Sequence, residues 1–155
     1  MKDRVDILLS VYNPNIDYLI KQLKSLNNQT YDNLKLYVFD DCADKRCNIE
    51  IFERYITNFE YEVLPYESKN LGYIKAFEKL IKYSTGKYIA FCDQDDIWMS
   101  NKIEKCIEVL RRDKSLAVAS ERQIIDENDN IIWKKVRDHS HKNYDSWHSF
   151  DDIAK

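Results

Sequence analysis

Residues 89–101 read IAFCDQDDIWMSN, and the reading of this stretch decides the fold. Four apolar residues run straight into Asp93, Asp95 and Asp96. Neighbouring carboxylates repel, so three of them belong on a solvated loop unless a group of opposite sign shares them. An apolar run ending in acids describes a buried strand that delivers its loop to a sheet edge. In open parallel sheets, ligands lie at the carboxyl ends of the strands.

The chain on either side supplies such a sheet. Upstream, Lys87–Cys92 is the fourth strand of a repeating strand–helix pattern. Before it, Ile74, Phe77, Leu80 and Ile81 recur at helical spacing, with Gly86 placed as a helix C-terminal glycine. The loop ESKNLG precedes that helix. Tyr61–Leu64 is a short third strand stopped by Pro65. Ile49, Phe52, Tyr55, Ile56 and Phe59 mark a second helix. Leu34–Phe39 is the second strand, ending at Asp40-Asp41. Ile16, Leu19, Ile20, Leu23 and Leu26 mark the first helix, and Val5–Val11 the first strand, broken by Asn13-Pro14. Downstream, Ser100 is placed to cap a helix carrying Ile103, Cys106, Ile107 and Leu110. Leu116–Ala119 reads as a fifth strand. Asn128–Asn130 reads as a turn between segments 123–126 and 131–136. The alternation predicts an α/β fold with a mostly parallel sheet and helices on both faces.

Composition narrows the function classes. The chain has 155 residues, 44% hydrophobic and 33% charged, with two Gly and two Pro, which suits one ordinary globular domain. The formal charge is −3 and the basic residues are scattered, so no nucleic-acid footprint is expected. None of the four cysteines forms a CxxC pair, which argues against a zinc knuckle and for reduced, buried thiols. No apolar run approaches a membrane span, and a cytoplasmic location is expected.

The candidate residues follow from the strand ends. If the strand continues through them, Asp93 and Asp95 share a side and Gln94 turns away. Paired hard oxygen ligands suit Mg²⁺ or Mn²⁺ completed by substrate phosphates; the alternative is a solvated loop whose acids cap the next helix. Asp40-Asp41 offers either turn chemistry or an acceptor for a nucleobase or ribose. Asn70 and Gly72 are either an N-cap and a packing point or an anion site at a helix N-terminus. Lys75, one turn into that helix, either reaches a phosphate or stays in solvent. Trp98 packs over the sheet edge or serves as a sugar platform. His139, His141 and His148 read as a polar tail more readily than as metal ligands.

Taken together, SVYNPN, LKSLNNQTYDNLKLYVFDD and NLGYIKAFEKLIKYSTGKYIAFCDQDDIWMSNKIE, in that order, resemble the family 2 glycosyltransferases of the GT-A fold, and SERQIIDENDNII continues the likeness more weakly. The closest flavour is that of bacterial enzymes of cell-surface polysaccharide synthesis, often assigned as rhamnosyltransferases. The resemblance implies a Rossmann-like donor domain over residues 1–136, and a polar tail, 137–155, leading into an acceptor region. It implies that Ser10 and Tyr12 line a nucleobase pocket and that Asp41 accepts a hydrogen bond from uracil or thymine. Asp93 lies nearer the ribose and diphosphate, Asp95 meets Mn²⁺ or Mg²⁺ most directly, and Lys75 falls in the segment approaching the phosphates. The implied partners are a UDP- or dTDP-linked sugar and a saccharide or lipid-linked acceptor, with a homodimer and a peripheral station at the inner face of the cell membrane as further expectations. The general base of inverting members is expected beyond Lys155, and neither Asp151 nor Asp152 is assigned that role.

Three rival readings of the same pattern exist. A nucleotidyltransferase needs a Gly- and Arg/Lys-rich loop after the first strand, and SVYNPNID has neither. A phosphoaspartate enzyme places its Asp-x-Asp directly after strand one, where this chain has Ser10. A non-catalytic domain binding a nucleotide or a partner subunit is the other alternative.

Overall fold

The computed structural model describes residues 2–133. It divides into two compact units, residues 1–103 and residues from 104 onward. The first unit alternates β1 (Val5–Val11), α1 (Ile16–Asn27), β2 (Leu34–Asp40), α2 (Glu50–Tyr55), β3 (Glu60–Val63), α3 (Tyr73–Tyr83) and β4 (Tyr88–Cys92). All strand pairings in it are parallel, in the order β3-β2-β1-β4. Val5 pairs with Leu34 on one side and Tyr88 on the other.

Burial explains the order. β1 and β2 are buried almost throughout, as continuous apolar strands covered on both faces must be. Leu8, Tyr37 and Phe39 form a cluster with Ala76, Phe77 and Leu80 of α3. Phe91, opposite Leu8 on β4, meets the Phe77 ring edge-on at 5.4 Å. Cys92 lies opposite Leu9 and so on the other face, where it accepts from Gln22 of α1. Helices therefore cover both faces, as the alternation predicts.

The helix ends show where local signals were overridden. Asn15 caps α1, its Oδ1 accepting from the Asp17 and Tyr18 amides. α2 is shorter than its apolar spacing suggests, because Asn27 Oδ1 takes the Thr57 and Asn58 amides and the chain turns extended at Ile56. Asn70 does not cap α3. Gly72 holds that position at φ 83°, a left-handed conformation that disfavours any side chain. Gly86 is not a helix-ending glycine, since α3 closes at Ser84 in extended geometry.

Gly86 is required by space instead. Asp6, fully buried in β1, accepts from the Thr85 and Gly86 amides at 2.8 and 2.6 Å, from Ser84 Oγ at 3.0 Å, and from Arg4 Nε at 2.8 Å. A Cβ on Gly86 would sit 2.6 Å from Asp6 Oδ1. This clip ties the α3–β4 connection to the central strand, and so sets where β4 runs. Gly86→Ala is expected to cost about 1–3 kcal/mol through overpacking. An unchanged urea midpoint would disprove the steric argument.

α4 (Lys102–Asp113) begins in the first unit, where its Ile103 amide donates to Gln29 Oε1 at 3.2 Å. In the second unit, β5 (Ile124–Ile125) and β6 (Ile131–Trp133) form an antiparallel hairpin. Asp126 takes the Asn128 and Asn130 amides, and Asp129 has φ 64°, so the turn falls where the Asn-Asp-Asn signal placed it. The fifth strand expected at Leu116–Ala119 does not form. Leu116 is fully exposed, and a short apolar run without a pairing partner has nothing to hold it extended.

Candidate functional site

Three strand ends and one helix start converge. Beyond β1, the backbone of Tyr12 is gripped at both polar groups by one side chain. Its N–H donates to Gln94 Oε1 at 2.8 Å, and its carbonyl accepts from Gln94 Nε2 at 3.3 Å. Asn13 follows at φ 42°, which asparagine tolerates.

At the end of β2 the two acids divide their work. Asp40 is buried and turns the chain, accepting the Cys42 amide at 2.9 Å and the Cys47 amide at 2.7 Å. Asp41 is also buried but reaches forward, taking the Leu71 amide at 2.6 Å and the Gly72 amide at 2.8 Å just ahead of α3. Each carboxylate oxygen keeps a second lone pair. Asn70 accepts from the Ala43 amide at 2.9 Å and donates to the Tyr12 hydroxyl at 3.4 Å. The loops after β1, β2 and β3 are thus stitched to one another by side chains rather than by sheet.

β4 stops at Cys92, and Gln94-Asp95 form a turn. Strand alternation therefore does not extend through Asp93 and Asp95, which corrects the expected geometry, and Gln94 is not turned away. Ser10, Tyr12, Asp41, Asp93 and Asp95 line one cavity of about 460 Å³, within the range of small-molecule sites. Asn70, Gly72 and Gln94 complete its polar wall, and Tyr73 and Phe77 its apolar one. Lys75 is exposed on α3 and does not line it. Trp98 is buried, with Lys102 Nζ over its ring at 4.1 Å. His139, His141, His148, Asp151 and Asp152 lie outside the described residues.

The electrostatics are those of a crowded anionic rim. Desolvation, then repulsion from Asp96 and Asp95, pushes the Asp93 carboxyl above its ordinary range, with Lys102 opposing. Burial pushes the Cys92 thiol far up, so it is a neutral packing group rather than a nucleophile. Among the described residues, no group of three or more His, Cys, Asp or Glu could hold a metal ion. The donor set on the rim is thus two hard carboxylates in mutual repulsion. That is too few ligands for a closed structural site, but it fits a Mg²⁺- or Mn²⁺-sized ion that draws its other ligands from a diphosphate and water.

Sequence reasoning missed Gln94, Tyr73 and Phe77 as cavity residues. Tyr73 and Phe77 are visible as an i,i+4 pair, and their rings lie 4.9 Å apart, but that spacing reads equally as helix core. Gln94 becomes legible only once the Tyr12 loop is known to lie beside it.

A polar cavity at the carboxyl ends of a parallel sheet, rimmed by paired acids, stands where open α/β domains bind their ligands. The chain belongs to glycosyl transferase family 2, whose sequence model matches residues 6–154. It is 31% identical over 134 residues to the UDP-Glc:alpha-D-GlcNAc-diphosphoundecaprenol beta-1,3-glucosyltransferase WfgD of Escherichia coli, covering 84% of this chain and 51% of WfgD. It is also 31% identical over 125 residues to an uncharacterised glycosyltransferase of Rickettsia bellii, covering 80% of this chain and 17% of that protein. The chain therefore spans about half, or less, of these relatives. Its fold is GT-A. It resembles S. aureus TarS 1-349 in complex with UDP-GlcNAc, with a TM-score of 0.69 and 19% identity over 83% of this chain and 36% of that one. It also resembles the Pyrobaculum calidifontis mannosyltransferase PcManGT in complex with GDP-Man and Mn²⁺, with a TM-score of 0.61 and 17% identity over 83% and 37%. No described helix is long and apolar enough to cross a membrane.

Proposed function

We propose that residues 1–136 form the donor-binding part of a glycosyltransferase that passes a sugar from a nucleoside diphosphate to a hydroxyl acceptor in cell-surface polysaccharide synthesis, at the cytoplasmic side of the membrane. The observation that carries this reading is the pairing, across one cavity, of the buried Asp41 acceptor with the Asp93 and Asp95 rim. Asp41 keeps lone pairs for the imino N–H of uracil or thymine, and the two amides it already holds fix its direction. Tyr12 and Ser10 wall the base. Asp95 and Asp93 hold the Mn²⁺ or Mg²⁺, which when bound supplies positive charge to a departing diphosphate. The acceptor oxygen attacks the anomeric carbon from the face opposite the diphosphate, so configuration inverts. No described residue is assigned as the base that takes its proton.

The test is calorimetric titration of UDP and of dTDP into the purified chain, with Mn²⁺ and with EDTA. Mn²⁺ is expected to tighten binding at least tenfold, about 1.4 kcal/mol. Absence of binding in a chain that melts cooperatively would remove the donor site and leave a partner-binding domain.

A further inference from the structure

The acidic loop has no helix or strand of its own between Cys92 and Lys102, yet three side chains along α1 and just past its end hold its backbone. Gln22, Ser25 and Gln29 follow each other at intervals of three and four residues, so they form one stripe. It is distinct from the Leu19, Leu23 and Leu26 positions that enter the core. Gln22 is completely buried and both ends of its amide are used: Nε2 donates to Cys92 Sγ, and Oε1 accepts from the Asp96 N–H at 3.1 Å. Ser25 Oγ accepts from the Trp98 N–H at 2.9 Å. Gln29 Nε2 donates to the Met99 carbonyl at 2.8 Å.

A buried amide is tolerated only where it is paired. Among the described residues, the Gln22 amide pairs with the two flanks of Asp93-Gln94-Asp95, the Cys92 sulfur and the Asp96 N–H. The acids between those flanks repel one another, and a loop without a ladder would relax by splaying them into solvent. Two bonds from a packed helix oppose that relaxation at the points where it would begin. Resting on the donor-site reading, we propose that Gln22 and Ser25 are positioning residues for the diphosphate end of the site. They hold the backbone just after Asp95, at the Asp96 and Trp98 amides, while Gln22 also grips the Cys92 side chain ahead of Asp93, so that the two carboxylates meet the cation and phosphates together. Asp41, on the opposite wall, is fixed by the Leu71 and Gly72 amides and does not depend on them. Pre-organisation of this kind acts on ligand affinity rather than on chemistry.

The split between metal-dependent and metal-free binding is the readout. Gln22→Leu keeps the buried volume and removes both bonds; Ser25→Ala removes one bond with a smaller change and serves if the first variant fails to fold. Amide exchange followed by NMR in the ligand-free chain is expected to rise at least tenfold at Asp96 for Gln22→Leu and at Trp98 for Ser25→Ala. UDP affinity in Mn²⁺ is expected to fall about tenfold, with affinity in EDTA unchanged. Unaltered Mn²⁺ affinity despite faster exchange would overturn the inference and leave the donor site standing. So would equal losses with and without metal, which would mark a merely structural role. If the unmutated chain binds no UDP with Mn²⁺, the donor-site reading itself falls and takes this inference with it, whatever the exchange rates show.

Discussion

Asp6→Ala is expected to lower the stability of the chain by about 3–5 kcal/mol, because it strips the acceptor from a buried, charge-assisted cluster. The Arg4 guanidinium, the Ser84 hydroxyl and the Thr85 and Gly86 amides all converge on that carboxylate. Without it, two part-buried amides lose their partner, and the α3–β4 connection loses its tie to β1. For a domain of this size the melting temperature should drop by about 10 °C. Acid dependence is the sharper test. Desolvation pushes the Asp6 carboxyl up, but the Arg4 pair and the backbone amides outweigh it and hold the group below its ordinary range. A carboxylate depressed in the folded state stabilises fully above its unfolded pKa, and that contribution is lost as pH falls through the folded value. The chain should therefore lose stability on acidification below about pH 4. Asp6→Asn should be weaker at neutral pH and flatter through that acid range. A variant with the parent's full acid slope would show that Asp6 is not the group responsible.

The second large effect falls on binding alone. Asp95→Ala is expected to weaken UDP binding in Mn²⁺ about 100-fold, close to 2.7 kcal/mol, and to leave the weaker binding in EDTA unchanged. Asp95 is exposed on the rim, and nothing buried depends on its carboxylate. Its removal also relieves part of the repulsion on Asp93, whose carboxyl is raised by desolvation first, then by Asp96 and by Asp95. Thermal stability should then hold or rise slightly while the ligand is lost, a combination that a folding defect cannot produce. A loss of the same size in EDTA would assign Asp95 to the nucleotide rather than the metal.

How much of this was legible before the structure depends on the range of the interaction. β1, β2 and β4 follow from continuous apolar runs, because strands buried on both faces leave that trace with no reference to their partners. The place of Asp41, Asp93 and Asp95 at one sheet edge followed from topology, and Ser10 and Tyr12 came with it. What failed was side chain to backbone traffic across long separations. Gln94 and Tyr12 are 82 residues apart, Gln22 and Asp96 are 74 apart, and neither pair has a periodicity to betray it. Asn70 and Gly86 misled for the same reason: each carries a local helix-end signal, but Ala43 claims the first and Asp6 leaves no room beside the second. Asp6, a lone acid in an apolar strand, drew no reading from the sequence; apart from Arg4, its partners sit 78 to 80 residues downstream.

The central place of β1 also dictates an order of assembly. Val5 can pair with Leu34 once the first helical crossover has closed, but its other edge waits for Tyr88. During synthesis, the first strand made must wait with one edge open until Tyr88–Cys92 has been added. Such distant parallel pairings are slow to form and prone to association while incomplete. Ser84, Thr85 and Gly86 reach Asp6 at the moment β4 emerges, so the same clip that fixes the finished sheet also closes its last seam. Variants at Asp6 or Gly86 should therefore show their first symptom as poor soluble yield during expression, ahead of any change in what the surviving folded molecules bind.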